Sequence, residues 1–579
     1  MAKTVQRRIV PANIEFNSDL HPILQRVYAT RGVRSALELD ARFECLHAYT
    51  ELRGIDHAAQ LLADAVVNNR PILVLGDFDA DGATSCATAV RALESMGATH
   101  VSYLVPNRFA FGYGLTPEIV AVAQRQQPYL LMTVDNGIGS VEGVAAAKAA
   151  GMRVLITDHH LPGARLPAAD AIVNPNQTGD EFPSKCLAGV GVVFYVMIAL
   201  RAALRAQGWF GPANRGEPNL ASLLDLVALG TIADVVPLDH CNRILVAQGL
   251  ARIRRGHCCP GVLALLDVAG RDRRRLTASD LAFAAAPRLN AAGRLEDMTL
   301  GITCLLSDDY TQARGIAARL DQLNVERREI EAAMRDQALR QVEDFATADN
   351  PESPSRGLCL YDPCWHQGVI GIIAGRVKDR FHRPAIAFAP GGEEGQLKGS
   401  ARSIPGVHIR DVLEHVATSH PGLLTRFGGH AMAAGLSLPE THLPDFRTAF
   451  SRALDELVTA ELFEEVILSD GELPNEWLNI DVAQVLRESG PWGQGFAEPI
   501  FDGVFSVVSQ RVVGARHLKL VMRPEPGDDD LDAILFNAEN HLPLETGQQV
   551  RLAYRLDVNE FRGRRSVQLV VEHWVALES

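Results

Sequence analysis

The 579-residue sequence has little lysine, no long uninterrupted apolar run and no surplus of positive charge. Only six of its 56 basic residues are lysine, and 70 acidic residues bring the formal net charge to −14. Such a charge argues against a nucleic acid held by the protein surface as a whole. However, residues 461–579 hold 21 acids and 10 bases, so the preceding 460 residues carry only −3. The bulk of the chain is therefore close to neutral.

No apolar run reaches the ~18 residues that a membrane helix needs. One apolar run, residues 188–200, has 13 residues and predicts a buried helix. The N-terminus lacks the apolar segment of a secretory signal. Nine cysteines, an odd number without metal-type spacing, indicate a reduced protein without a disulfide framework. We therefore expect a cytoplasmic protein with no membrane partner.

The length predicts several domains, and 47% apolar with 22% charged residues is typical of folded ones. Between residues 58 and 286, short apolar runs alternate with alanine-rich helical stretches, which predicts an α/β fold with a buried parallel sheet. The expected domains are an N-terminal extension packed on the next domain (1–57), an α/β domain (58–308), a long connecting helix (309–346), a smaller α/β domain (347–460) and a β-barrel resembling the oligonucleotide/oligosaccharide-binding (OB) fold (461–579).

Carboxylates follow the first predicted strand, residues 71–75. Asp77, Asp79 and Asp81 lie at alternate positions, so they project to one side of an extended or turning segment. Their mutual repulsion calls for a cation, and hard divalent ions prefer such oxygen ligands. An EF-hand calcium loop is disfavoured, because its twelfth position would be Thr88 instead of glutamate. A plain acidic turn is the remaining alternative for this motif alone.

Further metal-ligand candidates follow two other predicted strands. Asp135 directly follows the apolar run at 129–134. The run at 152–157 is followed by Asp158, His159 and His160. Asp234 stands in an apolar stretch, where an unpaired carboxylate would be costly. Ligands meet at the carboxyl edge of an open α/β sheet, so we expect a dinuclear Mn²⁺ or Mg²⁺ site with Asp135 between the two ions. Two ions would clamp a phosphoryl group and activate water, which predicts phosphoester or phosphoanhydride hydrolysis.

The chain resembles the DHH phosphoesterase superfamily, whose name is the triplet at 158–160. Its four N-terminal motifs are matched in order by GDFDADG, TVDNG, the triplet and GTIADVVPL. Other segments narrow the resemblance to the superfamily's 5′→3′ exonucleases specific for single-stranded DNA. These segments are NPN (174–176), LAGVGVVF (187–194), PRLNAAGR (287–294), LDQLNVERREIE (320–331), WHQGVIGIIAGR (365–376), GSARS (399–403), FGGHAMAAG (427–435) and PWGQGFAEPIF (491–501).

The resemblance implies roles for thirteen residues. The metal ligands would be Asp77, Asp79, Asp81, Asp135, His159 and Asp234, and the catalytic residues His160, Asp135 and Asp77. Related enzymes place a histidine where Asp77 stands, so its role is the least defined. The substrate-binding residues would be Arg108, Arg288, Asn290, Ser400, Arg402 and His430, with Arg108, Ser400 and Arg402 at the 5′-phosphate.

The resemblance implies a metal-dependent exonuclease that degrades single-stranded DNA from its 5′ end to mononucleotides, in DNA repair and recombination. A single-strand-binding protein and a helicase are the expected partners of a monomer. A phosphodiesterase for short oligonucleotides or cyclic dinucleotides is the first alternative, although such relatives lack the barrel. A non-catalytic replication scaffold is the second, although here every ligand position is filled.

Overall fold

The computed structural model describes residues 3–12, 14, 16, 20–107, 111–211, 215–348, 356–392, 394–514, 516–538, 544–561 and 563–577. Two compact units make up the chain. One consists of residues 1–6 and 322–467, and the other of residues 7–321 and 468–579.

The N-terminal segment carries strand β1 (Thr4–Arg7), helix α1 (Pro22–Ala29) and three single 3₁₀ turns between residues 36 and 51. Tyr28 of α1 donates a hydrogen bond to the Ser489 carbonyl, 2.7 Å away. Arg243 in turn donates to the Glu38 carbonyl at 2.9 Å. Residues of this segment therefore contact both the C-terminal part of their unit and its central helices.

A five-stranded parallel sheet lies at the centre of this unit, in the order β3-β2-β4-β5-β6. All five strands coincide with the apolar runs, so the predicted parallel sheet is confirmed. In chain order the elements are α2 (Ile55–Val67), β2 (Ile72–Leu75), α3 (Ala80–Ser95), β3 (Val101–Leu104), α4 (Pro117–Gln124), β4 (Leu130–Val134), α5 (Val141–Ala149), β5 (Arg153–Thr157), β6 (Ala171–Val173) and α6 (Gly189–Ala206).

Helices cover both faces of the sheet. Leu73 and Leu75 of β2 pack with Ile119 of α4 and Val144 of α5 on one face, while α3 packs on the other. Helix α6 has the length and apolar composition of a membrane-spanning helix, but two thirds of its apolar window is buried within the protein. It extends past the expected 13-residue run, because Arg201 interrupts the apolar letters without ending the helix.

A helical layer follows the sheet. Its members are α7 (Leu224–Ala233), α8 (His240–Arg255), α9 (Pro260–Val268), α10 (Ala278–Asp280), a π-helical turn (Leu281–Ala285), α11 (Ala286–Leu295) and α12 (Thr299–Leu306). The 39-residue helix α13 (Tyr310–Ala348) then leads from one unit into the other, which confirms the long connecting helix.

The second unit has its own sheet, of order β10-β11-β9-β8-β7. The elements are β7 (Leu358–Tyr361), α14 (Ile370–Phe381), β8 (Ala385–Pro390), β9 (Gln396–Arg402), α15 (Ile409–Ser419), β10 (Arg426–Gly429), β11 (Ala433–Pro439) and α16 (Leu443–Leu457). Only β7 and β8 are parallel, and the other neighbouring strands pair antiparallel. The smaller α/β domain expected from the sequence is therefore present, with a mostly antiparallel sheet that the sequence did not reveal.

The C-terminal segment forms the expected barrel. Strand β12 (Val466–Ser469) pairs with β1, and α17 (Ile480–Glu488) precedes five strands that close in the order β13-β14-β15-β17-β16. These strands are β13 (Phe501–Val513), β14 (His517–Pro524), β15 (Leu531–Leu535), β16 (Gln549–Phe561) and β17 (Arg564–Ala576).

Candidate metal centre

The loop between β2 and α3, with the first turn of α3, supplies three of the predicted carboxylates. Asp79 is the N-cap of α3, and its Oδ1 accepts a hydrogen bond from the Gly82 amide at 3.0 Å. Asp81 lies in the first turn of α3 and is 1% exposed. The amides of Gly189 and Val190, at the start of α6, donate to its two carboxylate oxygens at 2.7 and 3.0 Å. A helix N-terminus thus holds this carboxylate in place.

The ends of β4 and β5 bring two more predicted residues to the same edge. Asp135 directly follows β4, is 2% exposed and has a left-handed backbone with φ 62°. His159 follows β5, and its Nε2 lies 3.2 Å from Asp135 Oδ1 and 3.5 Å from Asp234 Oδ2. Asp234 comes from the C-cap of α7. A helix end, and not a strand, therefore delivers this carboxylate.

The seven predicted metal or catalytic residues come together at this edge of the sheet. They form three overlapping groups, and within each group one ligand atom per residue lies within 4.8 Å of the others. The groups are Asp135, His159 and His160; Asp81, His159 and Asp234; and Asp77, Asp79 and Asp135. Because Asp135 and His159 each belong to two groups, they lie at the centre of the cluster.

The electrostatics of the cluster are those of crowded, buried carboxylates. Burial raises the pKa of Asp81 well above its usual range, and the charges of Asp234 and Asp79 add to the effect. Burial likewise raises the pKa of Asp135, with Asp81 the strongest neighbouring charge. Burial also lowers the pKa of His159, which favours the neutral imidazole that binds metals.

Unpartnered atoms within the cluster test whether it suits a metal ion. Among the residues that the structure describes, Asp135 Oδ1, His159 Nε2 and Asp234 Oδ2 are buried without a hydrogen-bond partner. Buried polar groups of native proteins nearly always have a partner, and these three atoms point at one another. Carboxylate oxygens with one imidazole nitrogen are a donor set for Mn²⁺ or Mg²⁺. The residues therefore fit a divalent cation site.

Asp158 heads the triplet and was given no role among the thirteen residues of the predicted site. Its Oδ1 accepts His160 Nδ1–H at 2.7 Å and the His159 amide at 2.7 Å, and its Oδ2 accepts the Ile138 amide at 2.8 Å. Burial on its own lowers the pKa of His160, but the hydrogen bond and charge of Asp158 outweigh it and raise that pKa to about 9. Asp158 thus orients the imidazole of His160 and holds the backbone of His159. Its place at the head of the triplet was the available signal.

Gly189 is a second residue that the predicted site did not include. A Cβ at this position would lie 2.6 Å from Asp135 Cβ and 2.7 Å from Asp135 Oδ1. Only glycine leaves room here for the carboxylate of Asp135, while the Gly189 amide holds Asp81. The glycine-rich start of α6 was visible in the sequence, but its contacts with the metal-binding loops were not.

Two predicted substrate contacts lie on α11. Asn290 Oδ1 accepts the Ala80 amide at 2.8 Å, beside Asp79. Arg288 instead forms an ion pair with Asp321, 2.7 Å away, and donates to the Ala284 carbonyl. Asn290 is thus placed at the metal loop, whereas the guanidinium of Arg288 already has protein partners.

Three further predicted contacts, Ser400, Arg402 and His430, belong to the unit formed mainly by residues 322–467. Arg402 Nη1 donates to Ser400 Oγ at 3.1 Å, and both side chains lie over Gly371 in the first turn of α14. A Cβ at Gly371 would approach each of them to 2.9 Å. His430 lies in the turn between β10 and β11 and is exposed. Arg108 lies outside the described residues.

The fold and this side-chain cluster define a protein of the DHH class. A family model described as the DHH family, N-terminal domain, matches residues 71–231. The DHHA1 domain model matches residues 356–456, and the RecJ OB domain model matches residues 469–573.

Comparison with known proteins assigns the chain to a narrower family within this class. It is 55% identical over 571 residues to the single-stranded-DNA-specific exonuclease RecJ of Dickeya dadantii, covering 98% of this chain and 99% of that protein. The crystal structure of RecJ from Thermus thermophilus in complex with Mn²⁺ is 30% identical, with a TM-score of 0.79 over 97% of this chain and 77% of that one. Its Mg²⁺ complex is 29% identical, with a TM-score of 0.74 over 97% and 76%. The chain belongs to the RecJ family.

Proposed function

We propose that this chain is a metal-dependent exonuclease that hydrolyses single-stranded DNA from the 5′ end to mononucleotides, in DNA repair and recombination. The observation that carries the proposal is the cluster of five buried or half-buried aspartates and two histidines at one sheet edge. The relatives of this chain are named as exonucleases specific for single-stranded DNA. Two of the related structures hold Mn²⁺ or Mg²⁺.

The proposed roles follow from these positions. Asp77, Asp79, Asp81, Asp135, His159 and Asp234 would hold two divalent ions. Such ions polarise the phosphoryl group, lower the pKa of an attacking water and stabilise the charge of the leaving oxygen. Asp135 shares a group with Asp79 and another with His159, so it suits the position between two ions. His160, oriented by Asp158, would donate a hydrogen bond to the scissile phosphate.

The 5′-phosphate would be held by the unit that contains Ser400 and Arg402. Their side chains lie together at the N-terminus of the twelve-residue helix α14. A guanidinium, a hydroxyl and helix amides together suit phosphate oxygens. We propose Arg108, Asn290, Arg288 and His430 as further substrate contacts.

The domains proposed from the sequence complete this assignment, with catalysis in residues 58–308, substrate binding in 347–460 and an OB-like barrel in 461–579. We propose that the enzyme acts as a monomer in the cytoplasm and receives single strands from a helicase and a single-strand-binding protein. The nine free cysteines fit a reducing compartment.

The test is a nuclease assay on a strand of about 60 nucleotides labelled at either end and on its duplex. We expect Mn²⁺ or Mg²⁺ to support release of 5′-labelled mononucleotides from the single strand, and EDTA or Asp79→Ala to abolish it. The matched control Asp336→Ala, an exposed aspartate on α13, should retain activity. Cleavage confined to dinucleotides, or full activity of Asp79→Ala, would refute the proposal.

A further inference from the structure

Two large apolar side chains stand exposed near the metal centre. Val235 directly follows Asp234 and is 63% exposed, and Phe283 is 79% exposed. Val235 also has a φ of 61°, a left-handed conformation that is an outlier for a β-branched residue. Strain of this kind persists only where the surrounding structure enforces it, and it clusters at ligand sites. The fold therefore holds an apolar side chain outward beside a proposed metal ligand.

Phe283 belongs to a helical run that is hydrogen-bonded to the metal-binding loop and packs against it. It lies in the π-helical turn that continues into α11. Asn290 of α11 accepts the Ala80 amide, and a Cβ at Gly293 would lie 1.8 Å from the Phe78 carbonyl oxygen. The helix therefore packs directly against the loop that carries the carboxylates. Seven residues separate Phe283 from Asn290, about 10 Å of helix rise.

Four accessible side chains of this run form a stripe, and Ala282, Arg288 and Leu295 are also partly exposed. Phe283, Pro287, Asn290 and Arg294 are all at least partly exposed, at spacings of four, three and four residues. Within α11 this spacing places Pro287, Asn290 and Arg294 on one helix face, and Phe283 precedes them in the π-helical turn. Leu289 and its alanine neighbours on the other faces are buried. The π-helical turn itself packs against α7, which ends at Asp234.

We propose that Phe283, with Val235 on the neighbouring element, is a platform on which unpaired nucleobases of the substrate stack. This inference rests on the proposed function. We assign a single strand to this surface because the stripe is continuous with the metal loop. The rise of about 10 Å between Phe283 and Asn290 corresponds to about three base steps of roughly 3.4 Å. Every unpaired base can cover an aromatic ring, whereas duplex bases are already covered by their neighbours. Phe283 therefore contributes to selection of single strands without requiring positive charge.

The test compares two strands of about 20 nucleotides with a 5′-phosphate, one normal and one with abasic sites at nucleotides two to four. The abasic strand keeps its phosphates and lacks the bases that would stack. We expect Phe283→Ala to raise the KM of the normal strand about tenfold, the usual worth of one stacked base, with kcat within about twofold. On the abasic strand, the wild type and Phe283→Ala should have equal KM values.

Two further variants complete the design. Phe283→Trp should keep the KM of the wild type, because indole also stacks. Leu37→Ala truncates an apolar side chain that is 77% exposed and has no proposed role, so it controls for surface truncation. An unchanged KM of Phe283→Ala on the normal strand, or an equal rise on both strands, would overturn the inference while leaving the proposed function intact. A wild type that degrades neither strand would overturn the proposed function itself.

Discussion

At the scale of the residue, Asp135 shows how the proposed function conflicts with stability. Its carboxylate is 2% exposed, its backbone is left-handed, and its Oδ1 has no hydrogen-bond partner among the described residues. Burial and the neighbouring aspartates raise its pKa, which means that its charged form is disfavoured in the metal-free protein. A divalent cation would remove this disadvantage.

Asp135→Asn should therefore stabilise the metal-free protein and inactivate the enzyme. Removing a buried like charge should raise the Tm of the metal-free protein by about a few degrees. Thermal unfolding in EDTA measures this effect, and the nuclease assay should show at least about a thousandfold loss. Added Mn²⁺ should raise the Tm of the wild type and not that of the variant. A lower Tm of the variant in EDTA would contradict this account.

Asp158→Asn tests the positioning of His160. Both carboxylate oxygens of Asp158 accept hydrogen bonds, whereas the amide of asparagine has only one acceptor oxygen. The imidazole of His160 therefore loses its fixed orientation. We expect kcat to fall about 10- to 100-fold, as for other residues that orient a ligand, while the KM changes little. Asp170→Asn is the matched control, because Asp170 also accepts a backbone amide, that of Val154, beside the same sheet. Equal kcat values for wild type and Asp158→Asn would exclude the positioning role.

At the scale of the element, the start of α6 joins the loops that follow β2 and β4. Its first two amides hold Asp81, and the missing side chain of Gly189 accommodates Asp135. Strands could be predicted to deliver carboxylates, because parallel strands share a carboxyl edge. The sequence did not show that α7 would deliver Asp234 from a helix end. It also did not show which glycine would face which aspartate, because these contacts join residues far apart in the chain.

Gly189→Ala and Gly191→Ala distinguish this packing from helix propensity. The first places a methyl group 2.6 Å from Asp135 Cβ, whereas the second meets Leu187 Cδ2 at 3.2 Å, just before the same helix. Both exchanges favour a helix. We expect Gly189→Ala to lower kcat/KM at least about 100-fold and to weaken Mn²⁺ binding measured by calorimetry. Gly191→Ala should stay within about threefold of the wild type. Similar activities of the two variants would contradict the packing argument.

At the scale of the whole molecule, the negative charge is unevenly distributed. Residues 461–579 hold 11 of the 14 net negative charges. On the barrel, Lys519 pairs with Asp532 and Arg523 with Asp530. These two cations are therefore neutralised by their neighbours, which reduces the positive surface that the barrel offers to non-specific DNA binding.

Binding of single-stranded DNA should consequently depend weakly on salt. We expect the logarithm of the affinity to fall with the logarithm of salt concentration with a slope below about 3 in magnitude, corresponding to roughly four phosphates. Fluorescence anisotropy between about 50 and 300 mM salt, with Ca²⁺ in place of the catalytic ion, measures this slope. A slope near about 7 would indicate an extended basic surface and contradict this prediction.

The sequence by itself determined the parallel sheet, the long helix, the barrel and the set of acidic and histidine residues at the sheet edge. These features depend on local patterns, namely the apolar period, the charge spacing and the polar residues that follow each strand. Only the tertiary structure decided that Asp158 orients His160, that Gly189 makes room for Asp135, that Arg288 pairs with Asp321 and that Phe283 stays exposed. Each of these depends on distances between side chains or on what covers them, and such distances are set only when distant parts of the chain pack together.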